Sequence, residues 1–501
     1  MRPGWRAIGL VCGATVLLLA YLLLLTSHLS DVAGGADSSG YLNAGRGFAS
    51  GHIVRDIPIL RDLALDSSHA VMFIPLGYVR GTVPGTMVPS YPPGLPLHNA
   101  LAILATGSEA APFLISPLAA VAAMLLLYAL SREVGLSRLS SFCGGLMFGI
   151  CPTVIFQAVQ PMSDVLASTY AILAILAALR SERRRGWAVT SGVAFGVGVM
   201  VRPTNILLLI PLLIAFGWKP RKLFLFALGA LPFAITMMGI NQVTFGDPLV
   251  TGYGSFREML ELGNFPIRFR HYLYWLAALM SFVVMPGGLV VIFLKSASLR
   301  IRAVLAGWFV PFFLFYTFYG PYETWWYTRF LLPAVPSLIL GALLVLEDID
   351  RRVRGVAGSE TGRLVRRVRL PEGLPTAVAT LLVVMTGSYH VRAKGILGIG
   401  EGERVYVKAT SLVRQHVPER SIVVAMQLSG SLLYYNNRNA LRWDFVEPDQ
   451  YASLAAHAFN ERYEWYALLS DFEEKEFFRR FPGSWRSIDH VRHMRLWKLV
   501  D

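Results

Sequence analysis

The sequence predicts an α-helical membrane protein that crosses the bilayer about eleven times and ends in a small α/β domain outside the membrane. Two observations predict this fold class. The 501 residues are 54% hydrophobic, with a mean hydropathy of +0.50, which is more apolar than a soluble domain tolerates. In addition, apolar runs alternate with short arginine-rich connections and with longer loops.

Eleven apolar runs are long enough, or nearly so, to span a bilayer. The first follows Arg2 and Arg6 like a signal peptide, but no small-residue cleavage site comes directly after it, so we expect a retained helix. The fifth and sixth are short and meet at Arg202, forming either one bent hairpin or two tilted spans. The runs begin near Ile8, Pro112, Leu139, Ser163, Trp187, Thr204, Lys222, His271, Ile301, Phe330 and Leu374.

The basic residues orient these spans. With the N-terminus in the cytoplasm, every short basic connection falls on the cytoplasmic side, as the positive-inside rule requires. The net charge of +14 therefore reflects membrane orientation, with contact to anionic membrane lipids as a by-product, and we expect no nucleic-acid partner. The densest basic connection, between the last two spans, contains Arg351, Arg352, Arg354, Arg363, Arg366, Arg367 and Arg369.

The first outer loop, from about residue 26 to residue 111, is too long for a simple connector, which indicates a function. Ser39–Ser50 and Leu95–Ala105 read as two short helices that lie flat in the headgroup region. Prolines from Pro84 to Pro96 predict an extended, turn-rich path between them.

The tail, residues 392–501, differs in character from the membrane part, residues 1–391, and predicts an extracytoplasmic α/β domain. Its length of roughly 110 residues is a usual domain size. Asp471–Phe481 reads as a helix. The predicted strands are Ser421–Met426, Ala440–Phe445, Trp465–Ser470 and Met494–Leu499.

Polar residues concentrate in the outer loops, whereas the spans are nearly free of ionisable groups. A secondary transporter or proton pump usually keeps carboxylates or histidines near the midplane, so this pattern favours chemistry at the outer surface. Asp37, about a dozen residues after the first span, is the sharpest candidate for a catalytic carboxylate. Its structural alternative is an N-cap of the helix that begins near Ser39, and Asp164 likewise reads as a helix cap.

Two arginines near the outer ends of spans are candidates for binding a phosphate, since a guanidinium suits bidentate anion recognition. The alternatives are a snorkelling side chain for Arg202 and an interfacial anchor for Arg329. Arg257, Arg268 and Arg270 are the next candidates. The side chains expected to contact substrate are Tyr91, Tyr253, Trp325, Trp326 and Tyr327.

Several well-known types of site are not indicated by the sequence. It has no P-loop, HExxH or GxSxG motif in a suitable setting, and its histidines are scattered. Cys12, Cys143 and Cys151 lie in or beside apolar runs, so no disulfide framework is predicted. We therefore expect no cofactor and no metal site; dependence on a divalent metal stays open but has no support in the sequence.

Six short motifs follow one another on the predicted outer face. They are Ala36-Asp37-Ser38-Ser39-Gly40-Tyr41-Leu42, Ser90-Tyr91-Pro92-Pro93-Gly94-Leu95-Pro96-Leu97, Gln160-Pro161-Met162-Ser163-Asp164, Val201-Arg202-Pro203-Thr204, Phe245-Gly246-Asp247-Pro248 with Thr251-Gly252-Tyr253-Gly254, and Thr328-Arg329-Phe330-Leu331-Leu332-Pro333. Together they resemble the GT-C superfamily of polytopic glycosyltransferases, and within it the bacterial relatives of protein O-mannosyltransferases and aminoarabinose transferases. The resemblance covers the membrane part to about Leu346.

The resemblance implies a polyprenyl-phosphate sugar donor, an acceptor reached from the outer face of a bacterial plasma membrane, and Asp37 as the catalytic carboxylate. The acceptor is a lipid, a glycan or a protein. A single displacement with inversion is expected, in which Asp37 takes the proton of the acceptor hydroxyl and Arg202 or Arg329 stabilises the departing phosphate. Many members carry Asp-Glu at the first motif, whereas this chain has Asp37-Ser38, which leaves the partner of Asp37 open.

Three alternative functions stay open at this point. A ligase or polymerase would transfer a whole oligosaccharide from a lipid diphosphate through the same outer-face site. A lipid-sugar flippase, or a scaffold of an envelope-assembly complex, would form no glycosidic bond and would not need Asp37. A family member that has lost its activity is the third, since the second acidic residue is replaced by Ser38.

Overall fold

A computed structural model describes residues 5–254, 260–320, 323–357 and 371–500. Most of the described chain is helical. The α-helices are α1 Trp5–Ser27, α2 Ala36–Ala49, α3 Pro58–Asp62, α4 Gly94–Thr106, α5 Ile115–Glu133, α6 Arg138–Gly149, α7 Pro152–Ala158, α8 Asp164–Arg180, α9 Trp187–Val201, α10 Leu209–Phe216, α11 Pro220–Phe245, α12 Phe265–Val290, α13 Leu299–Thr317, α14 Val335–Ala357, α15 Leu374–Ala393, α16 Ile399–His416, α17 Ser429–Asn436, α18 Pro448–Asn460 and α19 Asp471–Arg480. Shorter 3-10 turns include Pro203–Leu208 and Trp325–Ala334.

Long apolar helices make this an integral, multi-pass membrane protein. Among the described residues, six helical segments are long and apolar enough to cross a membrane, and a seventh is counted if α6 and α7, bent by 60° at their junction, form one span. A helical segment lies at or within a few residues of each of the eleven predicted starts. Several of the remaining segments, such as α9, are shorter apolar helices, so the number of eleven spans stays a prediction.

Glycines bring the helices of the bundle close together. A Cβ atom on Gly192 of α9 would lie 2.0 Å from the Phe226 carbonyl oxygen of α11, and one on Gly229 would lie 2.3 Å from the Val189 carbonyl oxygen. Small residues allow this approach of backbones, which is a common way for membrane helices to associate. The contact fixes α9, whose end carries Arg202.

The two ends of the bundle differ in charge. Alternation of the helices brings Asp164, Arg202 and Arg329 to the same end as the first loop and the tail, which we call the loop end. At the opposite, basic end, Glu182 lies 2.7–2.9 Å from Lys219, Lys222 and Arg300. Of the densest basic connection, Arg363, Arg366, Arg367 and Arg369 lie outside the described residues.

The first loop is more structured than the extended path predicted for it. Helices α2 and α4 confirm its two expected helices, and the Asn99 amide on α4 donates to the Tyr41 carbonyl oxygen of α2 at 3.1 Å. Between them lies a three-stranded antiparallel sheet, ordered β1-β3-β2. Its strands are β1 Arg55–Asp56, β2 Tyr78–Arg80 and β3 Thr86–Pro89.

The tail contains a four-stranded mixed sheet, ordered β4-β5-β7-β6, with β4 and β5 parallel and the other pairs antiparallel. The predicted strand Ala440–Phe445 is wrong. Only Leu441 bridges to Val424, and the backbone N–H of Arg442 donates to the Met72 carbonyl oxygen of the first loop, so this segment joins tail to loop. The strands are β4 Ser421–Val424, β5 Glu464–Ser470, β6 Trp485–Val491, which the sequence reading missed, and β7 Met494–Leu499.

One apolar core is shared by the first loop and the tail. Ile57, Leu60 and Phe73 of the loop pack in the same buried cluster as Ile422 and Trp465 of the sheet. Burial of apolar surface is the main source of stability in such a cluster. Loop and tail therefore stabilise each other, and the proposed boundary between residues 391 and 392 stays a prediction.

Candidate functional site

Asp37 lies in the first turn of α2 and faces two partners at the loop end. Its carboxylate accepts a hydrogen bond from the Tyr91 hydroxyl at 2.7 Å and pairs with the Arg329 guanidinium at 2.9 Å. About a third of the Asp37 side chain, 32%, is exposed. The N-cap position of α2 is Gly35, with φ of 53°, and no side chain caps this end. The alternative interpretation of Asp37 as an N-cap is therefore wrong, and its carboxylate points into the site.

Tyr91 is held by neighbouring aromatic rings. Its ring centre lies 4.6 Å from that of Tyr41 and 6.2 Å from that of Tyr253. Gly40 permits this approach, because a Cβ atom there would lie 2.4 Å from the Tyr91 ring. Burial raises the pKa of Tyr91 well above its usual range, and the negative charge of Asp37 raises it further. The Tyr91 hydroxyl therefore stays protonated and acts as a donor to Asp37.

The loop that contains Tyr253 closes over the same residues. A Cβ atom on Gly252 would lie 2.4 Å from the Ser90 carbonyl oxygen, so this loop packs directly on the segment before Tyr91. Burial raises the pKa of Tyr253, and the nearby charge of Asp37 contributes in the same direction. The structure thus brings Tyr91 and Tyr253, two of the predicted substrate contacts, to Asp37.

A second ion pair lies beside the first. Arg202 donates to the carboxylate of Asp164, whose side chain is only 3% exposed. The guanidinium carbon of Arg202 lies 5.2 Å from the centre of the Phe330 ring, and that of Arg329 lies 5.4 Å from it. Asp164 does not cap its helix, contrary to our interpretation; no side chain forms a capping hydrogen bond there. Arg202 is therefore already paired with a carboxylate.

Arg268 is a buried arginine that forms no ion pair with any residue the structure describes. Its side chain is 2% exposed, and its Nε and Nη1 atoms have no hydrogen-bond partner in the described parts of the chain. Arg268 lies near the start of α12, four residues before the buried Tyr272. A buried charge without a partner is costly, which marks Arg268 as a candidate for binding an anion. Arg270 is exposed, and Arg257 lies outside the described residues.

The predicted aromatic platform is divided into two parts. Tyr327 lies near the Asp37 site, with its ring centre 5.7 Å from the guanidinium carbon of Arg329. Trp325 and Trp326 instead pack against Phe156, at ring distances of 5.1 and 6.3 Å. The ammonium group of Lys394 lies 5.2 Å from the Trp325 ring. Trp325 and Trp326 thus belong to a neighbouring aromatic surface, where they stay predicted substrate contacts.

The surroundings of Asp37 do not suit a metal ion. Its two oxygens are taken by a hydroxyl donor and a guanidinium, and a guanidinium repels a cation. In the part of the chain that the structure describes, no three or more His, Cys, Asp or Glu side chains are grouped so as to hold a metal.

A small, mostly apolar cavity of about 20 Å³ adjoins Tyr91. One wall belongs to the segment from Pro89 to Pro93 and the other to α11, a helix that is mostly exposed on the surface of the bundle. The hydroxyl of Thr251, which also lines the cavity, is buried and has no partner among the described residues.

Comparison with known proteins supports one superfamily. Residues 92–238 match the family model described as dolichyl-phosphate-mannose-protein mannosyltransferase. A search of curated protein sequences found no match.

Solved structures share the fold along almost the whole chain. ArnT from Cupriavidus metallidurans bound to undecaprenyl phosphate superposes with a TM-score of 0.63 and 14% identity, covering 97% of this chain and 98% of that one. Its apo state gives a TM-score of 0.63 and 13% identity, covering 98% of each chain. The mycobacterial arabinofuranosyltransferase AftD gives a TM-score of 0.54 and 14% identity, covering 97% of this chain and 41% of AftD. Residues 92–238 are therefore similar to the mannosyltransferase family, and the chain as a whole shares the fold of ArnT and AftD.

Proposed function

We propose that the protein is an inverting glycosyltransferase that moves a sugar from a polyprenyl-phosphate donor to an acceptor at the outer face of the membrane. The observation that carries this proposal is the geometry of Asp37. Its carboxylate is fixed by Tyr91 and Arg329 at 2.7 and 2.9 Å, yet a third of it stays accessible. A carboxylate that is oriented and still open to a substrate is suited to act as a general base.

The proposed reaction is a single displacement. Asp37 takes the proton of the acceptor hydroxyl while that oxygen attacks the anomeric carbon of the donor sugar. The bond between the anomeric carbon and the phosphate oxygen breaks on the opposite face, so the configuration inverts. Polyprenyl phosphate leaves as an anion and needs no proton. General-base assistance of this kind contributes about 10²–10⁴-fold.

Positive charge is available for the departing phosphate. Arg329 touches the base directly and keeps a buried Nε atom that has no hydrogen-bond partner among the described residues. Arg268 lacks a counter-ion in the described chain and is the strongest candidate to hold the phosphate. Arg202 contributes its charge from the neighbouring pair with Asp164. Fixed positive groups in a water-poor site stabilise developing negative charge strongly.

A lipid donor fits the surroundings of this site. The ArnT structure of similar fold is described with bound undecaprenyl phosphate. In this chain, the apolar helix α11, which is mostly exposed on the surface of the bundle, lies beside the Tyr91 segment and offers hydrocarbon surroundings close to the site. We propose that the lipid chain stays among the helices while the phosphate reaches Arg268 and Arg329.

The test is transfer of radiolabelled sugar from a panel of polyprenyl-phosphate sugars, with purified protein in nanodiscs and a membrane extract as acceptor. Wild type is compared with Asp37→Asn and with the control Asp62→Asn, an exposed carboxylate of the same loop. Transfer by wild type and the control, but not by Asp37→Asn, supports the proposal. Equal transfer by Asp37→Asn would remove Asp37 as the base.

The alternatives give different results in the same assay. A ligase or polymerase transfers label only from a lipid-diphosphate oligosaccharide. A flippase moves the donor across the bilayer without forming a glycosidic bond, and a transbilayer movement assay detects this.

A further inference from the structure

The tail helix α17 lies directly along α2, the helix that carries Asp37. The Asn43 amide of α2 donates to the Gly430 carbonyl oxygen at 2.9 Å. Farther along α2, Arg46 donates to the Tyr434 carbonyl oxygen at 2.7 Å, and its guanidinium carbon lies 3.9 Å from the centre of the Tyr434 ring. These contacts join segments that are almost 390 residues apart, so the fold holds one face of α2 against the tail.

The backbone that leads into α2 is held on both sides by the same helix. The backbone N–H of Ala33 donates to the Tyr435 hydroxyl at 2.8 Å, and the Ser431 hydroxyl donates to the Ala33 carbonyl oxygen at 2.6 Å. Both backbone groups of Ala33 are thereby satisfied, four residues before Asp37. The entry of the chain into the catalytic helix is thus fixed by the tail.

Gly430 is the closest point of this contact. A Cβ atom at this position would lie 2.2 Å from the Ser39 hydroxyl oxygen and 3.0 Å from both the Ser39 Cβ atom and the Leu76 carbonyl oxygen. Gly430 has ordinary helical geometry and is not among the residues with positive φ. Alanine is therefore excluded by space and not by backbone conformation, which makes the position a sensitive probe of how tightly α2 is held.

The base-carrying side of α2 faces other partners. Asp37 points to Tyr91 and Arg329, whereas Ser39, Asn43 and Arg46 meet the tail. We infer that α17 is a positioning element for catalysis, in which Gly430, Ser431 and Tyr435 hold α2 so that the Asp37 carboxylate keeps its place. This inference rests on the proposed function where it concerns catalysis, whereas the packing of α17 against α2 does not depend on that function.

The experiment compares Gly430→Ala with wild type in steady-state transfer. We expect kcat to fall about 10–100-fold, because a shift near 1 Å in a reacting group has an effect of this size. The donor KM should stay within about 3-fold, since the phosphate contacts proposed above lie elsewhere, and loss confined to kcat marks an interaction made in the transition state. Gly402→Ala is the matched control, because a Cβ atom there meets nothing within 4 Å.

A second substitution that relieves the clash distinguishes a positioning role of α17 from general damage to the fold. Adding Ser39→Ala to Gly430→Ala removes the closest clash, with the Ser39 hydroxyl, and should restore part of kcat, because the contacts at 3.0 Å with the Ser39 Cβ atom and the Leu76 carbonyl oxygen remain. Tyr435→Phe adds no bulk and removes the hydroxyl bonded to Ala33, so it tests the inference even where Gly430→Ala fails to fold. Unchanged kcat in both Gly430→Ala and Tyr435→Phe would overturn the positioning role, and so would a loss in Gly430→Ala that Ser39→Ala does not reverse even in part.

Hydrogen exchange gives a readout that does not depend on activity. Peptides covering residues 36–49 should exchange faster in Gly430→Ala than in wild type or Gly402→Ala, because local opening of α2 becomes easier. If wild type shows no transfer at all, the proposed function fails while this result still tests the contact. Unchanged exchange in both Gly430→Ala and Tyr435→Phe would overturn the contact itself.

Discussion

The pairs Asp37–Arg329 and Asp164–Arg202 have the same composition, and the arginine of each lies 5.2–5.4 Å from the ring centre of Phe330. Each aspartate occupies the first turn of a helix, where the positive end of the helix dipole favours a carboxylate. They differ in access: 32% of the Asp37 side chain is exposed, against 3% for Asp164. We therefore expect the exposed Asp37–Arg329 pair to take part in the proposed chemistry, because a substrate can reach it. We expect the buried Asp164–Arg202 pair to hold helices together.

Removing the accessible carboxylate tests the first half of this comparison and has the largest expected effect. Asp37→Asn should lower kcat about 10²–10⁴-fold, because the general base is lost. The melting temperature should stay within about 2 °C, since a partly exposed pair contributes about 0–1 kcal/mol. Transfer assays and thermal unfolding of the same preparation check both numbers. A large fall in the melting temperature would mean that Asp37 is structural.

Removing the buried Asp164 carboxylate tests whether the Asp164–Arg202 pair holds helices together. Asp164→Asn leaves the Arg202 charge buried without its partner, which costs about 3–5 kcal/mol of stability. The double variant Asp164→Asn with Arg202→Gln should recover much of that loss, because no unpaired charge is left. Denaturant unfolding in detergent measures the difference. Equal stability of the single and double variants would show that the pair is not what holds α8 to α9.

Glu403 extends the comparison to a half-buried carboxyl that forms no ion pair with any described residue. Burial raises its pKa from 4.5 to about 7. The folded state then binds the proton more tightly than the unfolded state, so stability is highest below pH 4.5 and falls as pH rises towards 7. Glu403→Gln should therefore stabilise the protein above pH 7, by at most about 3 kcal/mol, and change little near pH 4. A gain of equal size at both pH values would contradict this origin.

Tyr91→Phe makes the smallest of these changes. It removes the hydroxyl that donates to Asp37 at 2.7 Å and keeps the ring packed between Tyr41 and Tyr253. A hydrogen bond to a charged group contributes about 1.5–3 kcal/mol, so we expect kcat to fall about 10-fold or more, with unchanged stability. Tyr41→Phe, which loses only the contact with Ser163, is the control. Equal effects of the two variants would show that Tyr91 does not orient the base.

Local patterns predicted much of this molecule. Apolar runs located the helices, and the order of short motifs placed Asp37, Arg202 and Arg329 at one end, whereas the cap interpretations of Asp37 and Asp164 were wrong. The partners were not predictable, because the sequence separation of Tyr91, Arg329 and Asp37 says nothing about the angles at which their helices pack. Arg268 was only a secondary candidate for binding phosphate, because charge alone does not reveal burial. The shared core of loop and tail was missed for the same reason, as it depends on contacts between distant segments.

The contact between the tail and α2 also has a consequence for the order of events during synthesis. The N–H of Ala33 finds its partner 402 residues later in the chain, on Tyr435. At a synthesis rate of about 5–20 residues per second, about 20–80 s pass between the synthesis of Ala33 and that of Tyr435. Throughout that interval α2, the helix that carries Asp37, lacks its contacts with the tail. A ribosome that stops early would therefore leave behind an inserted but silent protein, and activity would report that the whole chain has been made.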